Sequence, residues 1–286
     1  MKVLVIGSDG QLGSELKKIS NNYDNLLWVF STIKTLDLLK LDSISSFLND
    51  INPCVIINCA AFTNVDKAEL ETELADLVNH QAIDLISKWT ANNVKKLIHI
   101  STDYVFDGQS NFPLSENSIT NPINKYGISK LKGEQVCLKN DTNSLIIRTS
   151  WLYSSFGNNF LKTMIELMKK NNSIKVVYDQ IGSPTFANDL AKVIIEFIEN
   201  YKSESGLFHY SNEGQISWFE FACLIKETCN LNCKIIGISS DEFKSLAKRP
   251  KYSLLDKSKI KNTLNLKIPN FKQSLIKCIG IIKNEI

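Results

Sequence analysis

The sequence predicts an α/β protein, a doubly wound parallel sheet with a smaller C-terminal lobe. Three observations predict it: short apolar runs alternate with segments of helical character, a glycine-spaced turn stands at the first junction, and the rhythm changes after about residue 150. Strands covered by helices on both faces are removed from water on both sides, so they read as nearly continuous apolar runs.

Residues 2–6 (Lys-Val-Leu-Val-Ile) form the first expected strand and 11–20 the first helix, with the glycine turn between them. A strand at 26–30, a helix near 43–50, a strand at 54–58 and a helix over 71–92 follow. A strand at 97–101, a helix over 125–139 and a strand at 144–149 complete the regular part. Right-handed crossovers bring the loops after these strands to one edge of the sheet. Beyond residue 150 the reading is a helix over 157–170, a short strand at 174–177 and a turn-rich stretch at 179–185. A helix over 188–201, a strand near 207–211, a helix over 217–229 and a less regular C-terminus follow. The expected division is a larger domain over 1–150 with a returning helix and strand at about 186–211. A smaller, discontinuous lobe takes 151–185 and 212–286.

The 286 residues suffice for such a pair of cores. A net charge of +3 without a clustered basic stripe argues against nucleic acid as a partner. The first apolar run ends at Ile6, too short for a secretory signal, and no stretch approaches the ~18 apolar residues of a membrane span. Seven scattered cysteines form no CxxC pair, and Cys229 and Cys233 lack the His or second pair that a zinc site requires. Free thiols in a reducing cytoplasm are expected, with no membrane association.

Gly7-Ser8-Asp9-Gly10-Gln11-Leu12-Gly13 is spaced G-x-x-G-x-x-G between strand and helix. Glycines there let the backbone approach a pyrophosphate, which then lies on the unpaired N–H groups of the helix N-terminus. The larger domain therefore reads as dinucleotide-binding. The second strand ends Phe30-Ser31-Thr32-Ile33-Lys34, without the carboxylate that would hydrogen-bond a ribose and repel a 2′-phosphate. Ser31 and its neighbours favour NADP(H), with NAD(H) as the alternative; the plain alternative is a solvated loop.

Tyr126 and Lys130 stand four apart at the start of an expected helix, so phenol and ammonium share one face. Carbonyl reduction needs a proton donor at oxygen while hydride arrives at carbon, and a nearby cation is expected to lower the phenol's proton affinity. Thr102 ends the preceding strand at the ligand-binding edge and offers a hydroxyl to orient the carbonyl.

Several strings then resemble one family in order along most of the chain: Gly10-Gln11-Leu12-Gly13, the Asn58–Glu69 stretch, Ser101-Thr102-Asp103-Tyr104-Val105-Phe106, Tyr126–Glu134, Asp179-Gln180-Ile181-Gly182-Ser183-Pro184-Thr185 and Arg249–Asp256. The chain resembles the dTDP-4-dehydrorhamnose reductases, extended short-chain dehydrogenases with a Rossmann-like domain. The resemblance implies NADPH-dependent reduction of the 4-keto group of dTDP-6-deoxy-L-lyxo-4-hexulose to dTDP-L-rhamnose, for cell-surface polysaccharide. It also implies Thr102, Tyr126 and Lys130 as the catalytic trio, and Gly7, Gly10, Gln11, Leu12 and Gly13 at the pyrophosphate. Asp37 and Leu38 would lie near the adenine, and Ala60, Ala61 and Thr63 along the cofactor, which Tyr126 and Lys130 also touch. Val65, Tyr104 and Trp151 would face the sugar, and Arg249 is a candidate for the substrate diphosphate because a guanidinium matches phosphate oxygens. Ser8-Asp9 departs from the small, neutral residues expected in the turn, and Cys59 from the commoner alanine. Family members often dimerise, and some bind magnesium at the dimer interface. Glu15 matches one such ligand, but no others are placed and no metal is expected. Two alternatives remain open: a reductase of another 4-keto deoxysugar nucleotide, and a non-catalytic NADP-binding regulatory subunit of another enzyme.

Overall fold

The computed structural model describes residues 1–200 and 203–284. Strand β1 (Lys2–Ile6) leads into helix α1 (Gln11–Ile19), and β2 (Leu27–Ser31) into α2 (Leu41–Ile51). After β3 (Val55–Asn58) come α3 (Val65–Leu70), α4 (Thr72–Asp76), a π-helical turn at Leu77–Gln81 and α5 (Ala82–Asn92). β4 (Lys96–Thr102), α6 (Lys125–Asn140) and β5 (Leu145–Thr149) complete the regular part. Next are β6 (Leu152–Tyr153), α7 (Phe160–Lys170), β7 (Ser173–Val177), β8 (Ile181–Gly182), β9 (Thr185–Phe186) and α8 (Ala187–Glu199). The chain continues with β10 (Gly206–His209), β11 (Ile216–Ser217), α9 (Trp218–Cys229), β12 (Lys234–Ile238), α10 (Ser258–Leu264) and α11 (Phe271–Asn284).

Six strands form one sheet in the order β10-β5-β4-β3-β1-β2, and every pairing is parallel. Strand order reverses at β1, and the crevice beyond the strand C-termini at such a switch point is where these sheets bind ligands. The period of two along each strand builds both faces. Val3 and Val5 join a core with Leu16 of α1 and Leu190 and Ile194 of α8. Leu4 and Ile6 point the other way, to Ile44 and Leu48 of α2 and Ile83 and Ile86 of α5. The sheet is thus covered on both sides, as its apolar strands require.

A separate core unites Tyr153, Leu161, Phe186, Phe221 and Leu275 from β6, α7, β9, α9 and α11. Above it, β7 and β12 pair in parallel. Helix α8 and strand β10 return to the large sheet, where β10 pairs with β5.

Three local differences from the sequence reading have physical causes. Helical structure begins at Val65, because Asn64 accepts from the Lys67 N–H at 3.0 Å and caps α3. The segment expected as one helix over 71–92 is interrupted by the π turn, which swings Asn79 inward. There its Nδ2 donates to the Phe62 carbonyl and its Oδ1 accepts from the Phe62 N–H, at 3.0 and 2.8 Å. The helix expected from 157 starts at Phe160, since Gly157 has φ +63° and Asn159 caps the helix instead. The C-terminus is more regular than its sequence suggests, with Ile260 and Leu264 of α10 in the large-sheet core and Cys278 of α11 in the second. Residue 201 of the expected helix over 188–201, and residues 285 and 286 of the expected lobe, lie outside the described residues. Among the described residues no helix is long and apolar enough to cross a membrane.

Candidate active site

A cleft of about 800 Å³ opens at the C-terminal ends of β1, β3, β4 and β5. The glycine turn forms one end of it. The N–H groups of Gly7 and Ser8 donate to the Ser31 carbonyl at 3.0 and 2.9 Å, tying the turn to β2. Gly7 has φ +78°, and a Cβ there would stand 2.7 Å from the Ala60 nitrogen, so both conformation and packing demand glycine. Gly13 lies outside the lining; a Cβ on it would run into the Gly7 carbonyl oxygen, so it lets α1 approach the turn. Gly10, Gln11 and Leu12 line the cleft with Gly7. Helix α1 has no side-chain cap and no acidic residue in its first turn, and Gln11 Oε1 is buried without a hydrogen-bond partner. Free N–H groups at a helix start, beside a glycine backbone, fit a dinucleotide pyrophosphate. Asp9 stands exposed at the rim.

Asp37 and Leu38 line the cleft beside this turn, and Ala60, Ala61 and Thr63 line the wall after β3. Ser31 does not. It is buried, with its Oγ 2.9 Å from Thr35 Oγ1, and of the Ser31–Lys34 stretch Ile33 alone reaches the lining. Its contribution to the site is the carbonyl that pins the glycine turn, rather than a hydroxyl for a 2′-phosphate.

β4 and α6 deliver the polar centre. Asn124 accepts from the Gly127 N–H at 2.8 Å and starts α6, which carries Tyr126 and Lys130 to the cleft opposite Thr102. Thr102 Oγ1 accepts from the Tyr104 N–H and donates to Asp103 Oδ1, each at 3.2 Å. Tyr126 is half-buried, and its ring meets that of Tyr104 edge-on at 5.7 Å. Burial pushes the Tyr126 phenol up to about 12, with the Thr102 hydroxyl pulling the other way and Asp103 adding to the rise. The expectation that Lys130 would lower it is not met. Lys130 Nζ donates to the Ile100 carbonyl at 2.7 Å and lies 3.3 Å from His99 Nε2, so strand β4 holds the amine. Burial pulls Lys130 itself down to about 8. Tyr126 is accordingly a protonated phenol at neutral pH, a donor rather than a base.

Asp103 was not singled out from the sequence, yet it lines the cleft and is buried. Burial pushes its carboxyl up to about 7, against hydrogen bonds from Ser253 and Thr102.

Val65, Tyr104 and Trp151 also line the cleft, and Trp151 packs against the second core. Trp151 takes φ +48°, and its indole stacks on that of Trp218 with centroids 3.5 Å apart and 7° between planes. Trp218 opens α9 behind a capping box of Ser217 and Glu220. The Ser-x-x-Glu spacing was a visible helix-start signal. That the residue after it would face the cleft was not visible, nor was the entry of Gly157 and Asn158 beside Gln11. Arg249 lies outside the lining. Its Nη2 is 2.7 Å from Asp66 Oδ2, and the Ala247 N–H donates to the same carboxylate at 3.0 Å, so a carboxylate occupies the guanidinium expected for the diphosphate. Glu15 is fully buried, accepting from Ser154 Oγ at 2.6 Å and Asn188 Nδ2 at 2.9 Å. Among the described residues no group of three or more His, Cys, Asp or Glu is placed to hold a metal ion.

This arrangement compares closely with known proteins. The family model described as the RmlD substrate binding domain matches residues 1–283. The dTDP-4-dehydrorhamnose reductase of Aggregatibacter actinomycetemcomitans is 35% identical over 287 residues, covering 96% of this chain and 97% of that protein. The crystal structure of a dTDP-4-dehydrorhamnose reductase from Clostridium acetobutylicum superposes with a TM-score of 0.95 at 37% identity, covering 99% of this chain and 100% of that one. The Bacillus anthracis dTDP-4-dehydrorhamnose reductase, solved in complex with NADP, superposes with a TM-score of 0.92 at 38% identity over 98% of this chain and 99% of that one. With the glycine turn, the Thr102, Tyr126 and Lys130 set and the aromatic wall in a single cleft, and with matches running end to end, the chain belongs to the RmlD family, that of the dTDP-4-dehydrorhamnose reductases.

Proposed function

We propose that this chain is a dTDP-4-dehydrorhamnose reductase, which reduces the 4-keto group of dTDP-6-deoxy-L-lyxo-4-hexulose to give dTDP-L-rhamnose with NADPH. The observation that carries this reading is the presence of Thr102, Tyr126 and Lys130 in one cleft with the glycine turn and the Trp151–Trp218 wall. A full-length relative solved with NADP supports the choice of cofactor.

A reduced nicotinamide supplies hydride when bound in this cleft. The residues do the rest. The turn from Gly7 to Leu12 and the start of α1 hold the pyrophosphate; Asp37 and Leu38 flank the adenine end, and Ala60, Ala61 and Thr63 the length of the cofactor. The Tyr126 phenol passes its proton to the 4-oxygen as negative charge develops there, and the Thr102 hydroxyl, turned from Asp103 toward the substrate, donates a hydrogen bond to the same oxygen. Lys130, anchored on β4, is placed to hydrogen-bond the nicotinamide ribose and so hold the cofactor beside the phenol. Val65, Tyr104 and Trp151 contact the sugar, and residues 151–185 with 212–286 act as the lobe that receives the nucleotide, while 1–150 with the returning 186–211 segment binds the dinucleotide. A cytoplasmic location fits the free thiols of Cys229 and Cys233, and a homodimer is read from family resemblance alone.

The test is absorbance at the reduced-nicotinamide band with purified protein, NADPH and the 4-keto-L-sugar generated in situ from dTDP-glucose by a dehydratase and an epimerase. Oxidation that requires the epimerase, with dTDP-L-rhamnose as product, is the expected result. NADPH binding without oxidation overturns the substrate assignment.

A further inference from the structure

Behind Lys130 lies a buried chain of polar groups that the reaction as described above does not use. Asn58 and His99 are fully buried. Asn58 Oδ1 accepts from the Ala60 N–H at 3.2 Å, which leaves its Nδ2 facing His99 Nδ1 at 3.1 Å. An amide nitrogen only donates, so His99 Nδ1 is the acceptor and the proton of the neutral imidazole sits on Nε2. Nε2 in turn faces Lys130 Nζ at 3.3 Å. An ammonium has no lone pair, so it cannot accept from Nε2–H, whereas an uncharged amine can.

We propose that Asn58 and His99 are positioning residues that loosen the Lys130 proton: Asn58 fixes the tautomer of His99, whose Nε2–H makes the uncharged amine the hydrogen-bonded state of Lys130 and repels the ammonium. The inference rests on the reductase reading for its role in turnover, but not for its geometry. Charging Lys130 with a good hydrogen bond to His99 requires the Nδ1–H tautomer, and hence a reversed Asn58 amide that abandons the Ala60 N–H in the cofactor wall. The charge of Lys130 and the backbone of that wall are therefore coupled through two side chains. Other groups facing Lys130 act in the opposite direction: Glu134 and Cys137 from its own helix and Cys59 from the segment after β3 all favour the ammonium. Burial outweighs them, and it also keeps His99 neutral, since the imidazole is held well below its usual range by burial and by Lys130.

The first test uses the full wild-type chain with 15N-labelled histidine at neutral pH. The chain has three histidines, and His209 is an internal contrast, because its Nδ1 lies 3.0 Å from the Leu114 carbonyl and must carry the proton. The expected spectrum assigns Nε2–H to His99 and Nδ1–H to His209; an Nδ1–H signal from His99 overturns the proposal. The second test is Asn58→Asp, whose two oxygens accept from both the Ala60 N–H and a His99 Nδ1–H, turning Nε2 into an acceptor for the ammonium. The Lys130 titration midpoint, read from the 13Cε resonance, is expected to rise by about one pH unit or more, tenfold in proton affinity. The alkaline limb of kcat is expected to move with it at unchanged KM for NADPH. The added carboxylate raises that midpoint by its charge alone, so the deciding readout is the 15N spectrum of the variant: the His99 proton is expected to move to Nδ1, and an Nε2–H retained there refutes the relay. Both resonance measurements need no turnover, so failure of the reductase assignment leaves them readable, and an active enzyme with the wrong His99 tautomer refutes the relay alone.

Discussion

At the scale of single residues, the polar centre is governed by burial more than by charge pairing. Burial disfavours the Tyr126 phenolate, so the phenol keeps its proton well above neutral pH. Tyr126→Phe keeps the ring and its edge contact with Tyr104 but removes the proton, so kcat is expected to fall by about 10²–10⁴ with NADPH affinity unchanged. Steady-state kinetics with fluorescence titration of NADPH check both halves. Asp103 offers a stability test. Its folded-state carboxyl, near 7, lies above the usual carboxylate range, so the folded chain binds that proton more tightly than the unfolded one. The contribution of Asp103 to stability is therefore complete below the unfolded value and is lost as pH rises through about 7. Asp103→Asn cannot ionise, and its melting temperature relative to wild type is expected to rise between pH 4 and pH 8. The difference is on the order of 3–4 kcal/mol. A flat difference across that range would contradict the assignment.

At the scale of elements, the site depends on how α6 is fastened to the sheet. Glu134 of α6 forms a buried ion pair with Arg148 of β5, with Nη2 2.7 Å from Oε2 and Nε 2.8 Å from Oε1, and Ser101 of β4 donates to the same carboxylate. The pair clamps the helix bearing Tyr126 and Lys130 to the two strands beneath it. Arg148→Met leaves Glu134 buried without its partner and is expected to cost about 3–5 kcal/mol in urea unfolding. Removing both charges, as Arg148→Met with Glu134→Leu, is expected to recover most of that loss. Elements also explain what was legible. The large-sheet strands announced themselves because burial on both faces imposes unbroken apolar runs. Strand β12 and helices α10 and α11 did not, because β12 exposes Lys234, Ile236 and Gly237 while burying Ile238, and α10 is too short for periodicity to stand out.

At the scale of the whole molecule, the cleft joins two cores. Trp151 follows β5, while Trp218 comes from α9 in the second core, and their stacked indoles close one side of the cleft. Trp218→Ala is expected to raise KM for the nucleotide sugar roughly tenfold while leaving NADPH affinity intact, because it removes the stacking support of Trp151 but none of the glycine turn. Equal losses for both ligands would place Trp218 in general folding instead.

The parallel sheet, the glycine turn and the Thr102, Tyr126 and Lys130 set were legible in the order of the amino acids. These rest on local periodicity and on spacings that chain geometry converts directly into a shared turn, strand end or helix face. Which polar partners those residues meet depended on packing. Arg249 was claimed by Asp66, and Lys130 by Ile100 and His99, each across a fold contact that no local spacing encodes. Hydrogen-bond partners and burial depend on distances between segments far apart in the chain, and those distances exist only once both cores have packed.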